Sequence, residues 1–222
     1  MSCDFRKLED LCRAKGHEDA IKYVRSLIWK VWLSRYHRDE AAAKAQPLVN
    51  QPADLTNPQN DPTWILAQYE VEAHTVAVSQ ALHSIADVSA QTVNVCLKLG
   101  KIEKQVTAYR IRDELSGQPD FADIHAALSA LLDCDSFKYV EAFVNTVKHR
   151  RLIDISFNIN INAEAGQIAE GVRFQQFDFD RSGSIVTYPS TFANEICDRH
   201  SIKIVRMTCD LIDKLIAFLE RT

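Results

Sequence analysis

Apolar residues recur at every third or fourth position over most of this chain and at every second position only between residues 152 and 188, so the pattern predicts helices interrupted once by strands. A short helix fits 4–14, with Phe5, Leu8, Leu11 and Cys12 on one side and Gly16 placed to end it. A second follows over about 18–44. Its face of Ile21, Val24, Leu27, Ile28, Val31 and Trp32 is broad enough to meet more than one neighbour, and Trp29 and Tyr36 widen it. Asp61 in capping position and Pro62 in the first turn open the longest helical pattern. There the stripe that begins Ala67, Val71, His74, Val78, Ala81 and ends at Leu99 alternates steps of four and three, as a seam between antiparallel helices does. Gly100 ends or bends this helix, and 101–116 either continues it or forms another.

Gly117 and Pro119 punctuate the chain before a helix at about 121–133, whose inner side is Phe121, Ile124, Leu128, Leu131 and Leu132. Asp135 and Ser136 offer a restart cap for the helix that follows. LIDISFNININ at 152–162 and GVRFQQFDFDR at 171–181 alternate with period two, and SIVTY at 184–188 extends them. Pro189 then begins a last helix to about 220, striped by Ile202, Val205, Cys209, Ile212, Ile216 and Leu219. The expected fold class is mainly α, a helical bundle with a small antiparallel β-hairpin or meander inserted at about 152–188, before the last helix. Residues 46–62 hold four of the six prolines and no glycine, which predicts a stiff, extended crossover. The 45 residues before it make a poor core of their own, so one domain over 1–222 is expected.

Charge changes this picture little. The formal net charge is −4, so no global field marks the chain for nucleic acid; the first 45 residues are mildly basic, and the one tight basic cluster is KHRR at 148–151. The first sixteen residues mix charge with apolar positions and do not read as a signal peptide. No apolar run approaches the roughly eighteen residues of a membrane span. The six cysteines, at 3, 12, 96, 134, 197 and 209, form no C-x-x-C pair, which predicts reduced, mostly buried thiols and a cytoplasmic protein. No glycine-rich phosphate loop, serine-hydrolase elbow or H-E-x-x-H motif is present, and no cofactor and no metal are expected.

Candidate chemistry concentrates on FKYVEAFVNTVKHRR, 137–151. At 100° per residue, Lys138, Glu141, Asn145 and His149 form one polar line opposite Val140, Phe143 and Val147. An imidazole one turn from an amide, flanked by Lys148, Arg150 and Arg151, has the makings of an acid–base or phosphate-binding site; a helix C-terminus carrying cations that complement its dipole explains the same residues. A second cluster is His83 and Asp87, one turn apart in line with Glu72 and Asn94. These two serve as an oriented base, as two metal ligands, or as a surface ion pair. His74 lies in the apolar seam and reads as a hydrogen-bonded core histidine. DFDRSGSI at 178–185 imitates the start of a calcium loop through Asp178, Asp180, Ser182 and Gly183, yet the twelfth position is Pro189, so a hairpin turn is the better account.

The run Asn145-Thr-Val-Lys-His149 resembles the Asn-x-x-x-His part of the signature of the HEPN superfamily, the higher-eukaryote and prokaryote nucleotide-binding helical proteins. In that family an arginine usually precedes the asparagine, and Arg and His from two subunits form a metal-independent ribonuclease site; here that position is Val144. The resemblance carries over to Asn145 and His149 only and implies a place in toxin–antitoxin or phage-defence systems; the cation of an RNA site there would come from the neighbouring Lys148, Arg150 or Arg151. The leading expectation is a non-catalytic helical interaction protein, a homodimer or a binder of a protein partner through its amphipathic helices, with HEPN-like RNA binding or cleavage as the alternative.

Overall fold

The computed structural model describes residues 3–50, 61–162, 167–181 and 183–222, the side chains of 49–50, 158–162 and 167–170 excepted. In chain order the elements are α1 (Phe5–Ala14), α2 (Glu18–Asn50), α3 (Pro62–Cys96), α4 (Ala108–Leu115), α5 (Ala122–Asp133) and α6 (Asp135–His149). Strands β1 (Ile155–Asn162), β2 (Gln167–Phe174), β3 (Phe177–Arg181), β4 (Ser184–Tyr188) and β5 (Thr191–Phe192) follow. A single turn, α7 (Ala193–Glu195), a π-turn over Ile196–His200 and α8 (Ser201–Arg221) close the chain. The fold is the expected helical bundle with antiparallel strands inserted before the last helix. Two compact units are built from it, one from residues 1–33, 81–138 and 202–222, the other from 34–80 and 139–201.

In the first unit, Asp4 caps α1 by accepting the Lys7 amide at 3.0 Å, and Gly16 follows at φ +70°, the left-handed conformation that ends a helix without a Cβ penalty. Leu8, Leu27, Leu82, Ile85, Leu128 and Leu215 are fully buried in its core. The end of α3 is settled at Cys96 rather than at Gly100. Lys98 turns left-handed at φ 55°, and Asn94 clamps the turn by donating to the Lys101 carbonyl and accepting from its amide at 2.9 and 3.1 Å. Residues 101–116 therefore hold a separate helix, α4, capped by Thr107 and packed on α5.

The restart of α6 departs from expectation. Cys134 accepts the Phe137 amide on its sulfur at 3.4 Å, and Asp135 already lies inside the helix, because α5 ends only at Asp133 and leaves one residue for the join. The cysteines also divide. Cys12, Cys96, Cys134 and Cys197 are free thiols, but Cys3 and Cys209 form a disulfide across 206 residues, which corrects the reduced-thiol expectation for that pair. Sequence spacing could not reveal it, since only tertiary packing brings the start of the chain to α8.

In the second unit, α2 runs on through Pro47 to Asn50, so the extended crossover does not begin at 46. Leu48 is buried, and packing at that position outweighs the single backbone hydrogen bond a proline removes. Residues 51–60 of the expected crossover lie outside those described. Asp61 caps α3 as expected, accepting the Thr63 amide at 2.9 Å. β1 and β2 pair antiparallel from Ile155↔Phe174 to Asn162↔Gln167, and β5 adds to β2. GVRFQQFDFDR is not one strand: Val172, Phe174 and Phe177 are all buried, so the period of two slips at Gln175–Gln176 and the chain starts a second sheet, β3–β4. The last helical region begins after β5 rather than at Pro189, and Ile202, assigned to its inner stripe, is 61% exposed while Ile204 is fully buried.

Candidate functional site

The C-terminal end of α6 and the hairpin β3–β4 lie together in the second unit. Of the expected inner side, Val140 and Phe143 are buried and Val147 is half-buried, and the polar line opposite is half-buried along Lys138, Glu141 and Asn145 before it reaches solvent at His149. Along the polar line, Glu141 is tied down by Arg181 of β3 in a 2.6 Å ion pair, Asn145 is half-buried, and His149 is exposed. Lys148, Arg150 and Arg151 are exposed as well, and the Arg150 guanidinium lies 5.2 Å over the Phe179 ring. The Arg150 amide makes the last helical bond, to the Thr146 carbonyl at 3.0 Å, and the Arg151 amide closes on the same carbonyl at 3.1 Å instead of continuing the ladder. The region thus presents Lys148, His149 and Arg151 at one end of a helix, beside a cation stacked on an aromatic ring. That arrangement suits contact with phosphate oxygens.

The hairpin itself uses its carboxylates internally. Asp180 accepts the Gly183 amide at 2.7 Å, Asp178 accepts the Thr187 hydroxyl at 2.6 Å, and the strands pair Asp178↔Thr187 and Asp180↔Ile185. The calcium-loop likeness is a hairpin turn, with Gly183 at φ +88°; Ser182 lies outside the described residues.

His83 and Asp87 both lie in the first unit. The His83 ring stacks on Phe137 at 6.1 Å, and Asp87 accepts the Ala108 amide at 2.9 Å, holding the N-terminus of α4. Asn94 is buried in its turn and Glu72 is half-buried, with burial pushing its carboxyl above the usual range. Among the described residues no group of three or more His, Cys, Asp and Glu side chains is placed to hold a metal ion.

Two histidine arrangements escaped the sequence reading. His74 is not a core residue: half-buried, it brings Nδ1 to 3.0 Å from Nδ1 of His37, so one ring donates and the other accepts. Burial, with the neighbouring His74, lowers the His37 pKa. His200 is buried and stacked on Tyr139 at 4.7 Å; burial lowers its pKa and pushes the Tyr139 phenol up to about 12. No local spacing joins either pair, which is why only the fold reveals them.

On α2, Trp29 and Trp32 are 55% and 50% exposed and stack on each other at 4.9 Å with planes 15° apart. Ile28 beside them is 40% exposed, and further along the helix Tyr36 is exposed too. The broad face read from the sequence therefore divides, with Leu27 and Val31 inward and the indoles outward. No helix among the described residues is long and apolar enough to cross a membrane. Compared with protein-family models, curated proteins and solved structures, the chain matches none.

Proposed function

We propose that this is a non-catalytic interaction protein that pairs with a second copy of itself through the aromatic outer side of α2. The observation that carries the reading is the Trp29–Trp32 stack, half exposed on both rings. Large aromatic side chains bury about 150–250 Å² each, so roughly 200 Å² of indole surface stays in water on each copy. At ~25 cal/mol per Å² that is about 5 kcal/mol of unused hydrophobic driving force per copy, before the costs of association. Tryptophan is the residue type most enriched among interface anchors. A two-fold contact sets the same flat surface against itself, and two parallel indoles offer a face suited to offset stacking. The pair would act as the anchor of a larger contact, since stable interfaces bury about 800 Å² on each side.

The test is sedimentation equilibrium over a wide concentration range. Wild type should be dimeric and Trp29→Ser/Trp32→Ser monomeric with unchanged circular dichroism. A wild type that stays monomeric at high micromolar concentration, or a double variant that still dimerises, would overturn the reading.

A second reading, a HEPN-like RNA-binding protein or ribonuclease of the kind found in toxin–antitoxin and phage-defence systems, is favoured by the exposed Lys148, His149, Arg150 and Arg151 at the end of α6. Low-salt gel shifts and cleavage assays on mixed cellular RNA separate its branches. Binding weakened in Arg151→Ala supports RNA contact through phosphates, cleavage lost in His149→Ala supports catalysis, and no binding at low salt rejects both.

A further inference from the structure

We infer that the second unit carries a binding site for a small zwitterion with an apolar body, of the class of an aliphatic α-amino acid, with Arg38 receiving its carboxylate and Asp198 its ammonium group. The site is a partly enclosed cavity of about 220 Å³. Its apolar walls include Ala41 of α2, Val71 of α3, Val172 of β2, Ala193 of α7 and Cys197 of the π-turn, all buried. Three of the five α2 side chains that line the cavity are short, Ala41, Ala42 and Ala45 beside Arg38 and Gln46, and the alanines leave volume unfilled. Gly171 also lines it, buried, at φ +140°, and a Cβ built there meets nothing within 4 Å. The backbone thus approaches the cavity where only glycine adopts the conformation, and the space in front of it is open.

The polar groups sit at the mouth. Arg38 directs Nε and Nη2 to Asp39 at 2.9 and 2.8 Å, an exposed pair of little energetic weight, and Nη1 remains as the edge for a ligand. Asp198, delivered to the rim by the π-turn, is exposed and has no ion-pair partner among the described residues. A cation and an anion therefore face one small opening without pairing with each other. A simple carboxylate would meet repulsion from Asp198, and a simple amine would meet repulsion from Arg38; a zwitterion satisfies both. Asn194 adds an amide at the same rim.

Size narrows the class further. A cavity of ~150 Å³ holds benzene, so one half again as large takes roughly nine non-hydrogen atoms, the size of leucine. Cys197 contributes surface rather than chemistry: burial pushes its thiol up to about 11, and it contacts the Thr75 hydroxyl at 3.7 Å. The inference stands apart from the dimer reading, because α2 faces the cavity with Ala41 and Ala45 and places the indoles elsewhere along its length.

The experiment is isothermal titration of the full chain with L-leucine, 4-methylpentanoate and 3-methylbutylamine, the last two each lacking one charged group. L-Leucine should bind at least tenfold more tightly than either half-ligand. Arg38→Met and Asp198→Asn should each weaken it tenfold or more, and Ala42→Leu, which fills the mouth while keeping both charges, should abolish binding. Circular dichroism melts establish that each variant is folded, and Arg38→Lys, which keeps the cation, should retain part of the affinity. Absence of leucine binding at millimolar concentration overturns the inference, as does binding of 4-methylpentanoate equal to that of leucine. Full affinity in Ala42→Leu would place the ligand elsewhere and overturn it equally.

Discussion

Removing the Cys3–Cys209 bridge is the perturbation whose size follows most directly from the structure. The bridge closes a loop of 206 residues, and restricting the unfolded chain by a loop of that length amounts to about 5 kcal/mol in the chain-entropy treatment, with bridges more commonly delivering 2–4 kcal/mol. Cys209 is buried and its sulfur keeps its packing as a thiol, so Cys3→Ser isolates the cross-link better than replacement of Cys209. Urea unfolding of wild type with and without reductant, and of Cys3→Ser, is the assay. A loss of about 3 kcal/mol moves a midpoint by roughly 1–3 M at the slopes usual for small proteins. The reduced wild type and the variant should shift by the same amount, and the variant should ignore reductant. Alkylation before reduction should block the four free thiols, and after it all six. A wild-type midpoint indifferent to reductant, or six thiols already open to alkylation in the unfolded, unreduced chain, would refute the reasoning.

Two further perturbations have a definite sign. Asp87→Ala removes the carboxylate that accepts the Ala108 amide at the start of α4, and loss of such a helix-terminal acceptor costs about 1–2 kcal/mol; chemical denaturation should show that loss, and an unchanged midpoint would mean Asp87 does not hold the helix. His200 and His37 have pKa values lowered by burial, so the unfolded chain binds more protons than the folded one as pH falls. Their contribution to stability is intact above the ordinary histidine value and declines as pH drops through it toward the lowered folded values. Melting curves between pH 7 and 5 should therefore fall less steeply in His200→Phe, which keeps a ring against Tyr139, than in wild type; identical slopes would count against the buried-imidazole argument.

The elements that depend on neighbours in sequence were legible. Asp61 and Pro62 announce the start of α3, Gly16 the end of α1, and the change from period 3.6 to period two announces the strands, because caps and alternation are local. Where a residue answers to the fold instead, the pattern misleads. Phe174 and Phe177 both enter the core, which breaks the alternation that joined their segments into one strand. Pro47 stays helical because Leu48 has a buried place to occupy. His74 looked like a core residue because its stripe is apolar; its partner, His37, belongs to another helix. Asp87 accepts the orphan amide of a helix N-terminus twenty-one residues on, a contact that no local spacing announces.

The polar line on α6 shows what remains at the candidate site once those claims are met. Glu141 is committed to Arg181, and Arg150 is drawn over Phe179. Lys148, His149 and Arg151 are exposed at the helix end, and the cavity between Arg38 and Asp198 in the same unit is lined by other residues. An exposed imidazole has ordinary access to water, so little there favours developing charge over solvent; acid–base chemistry gains from a walled, dry site in which fixed dipoles replace water. A bound nucleic acid or another copy of the chain would supply such a wall to His149. The oligomeric state is therefore the measurement that orders the others. If disrupting the Trp29–Trp32 surface yields a monomer and leaves RNA contact unaltered, the two surfaces act independently; if both are lost together, the α6 end is completed by the partner copy and His149 belongs to a shared site.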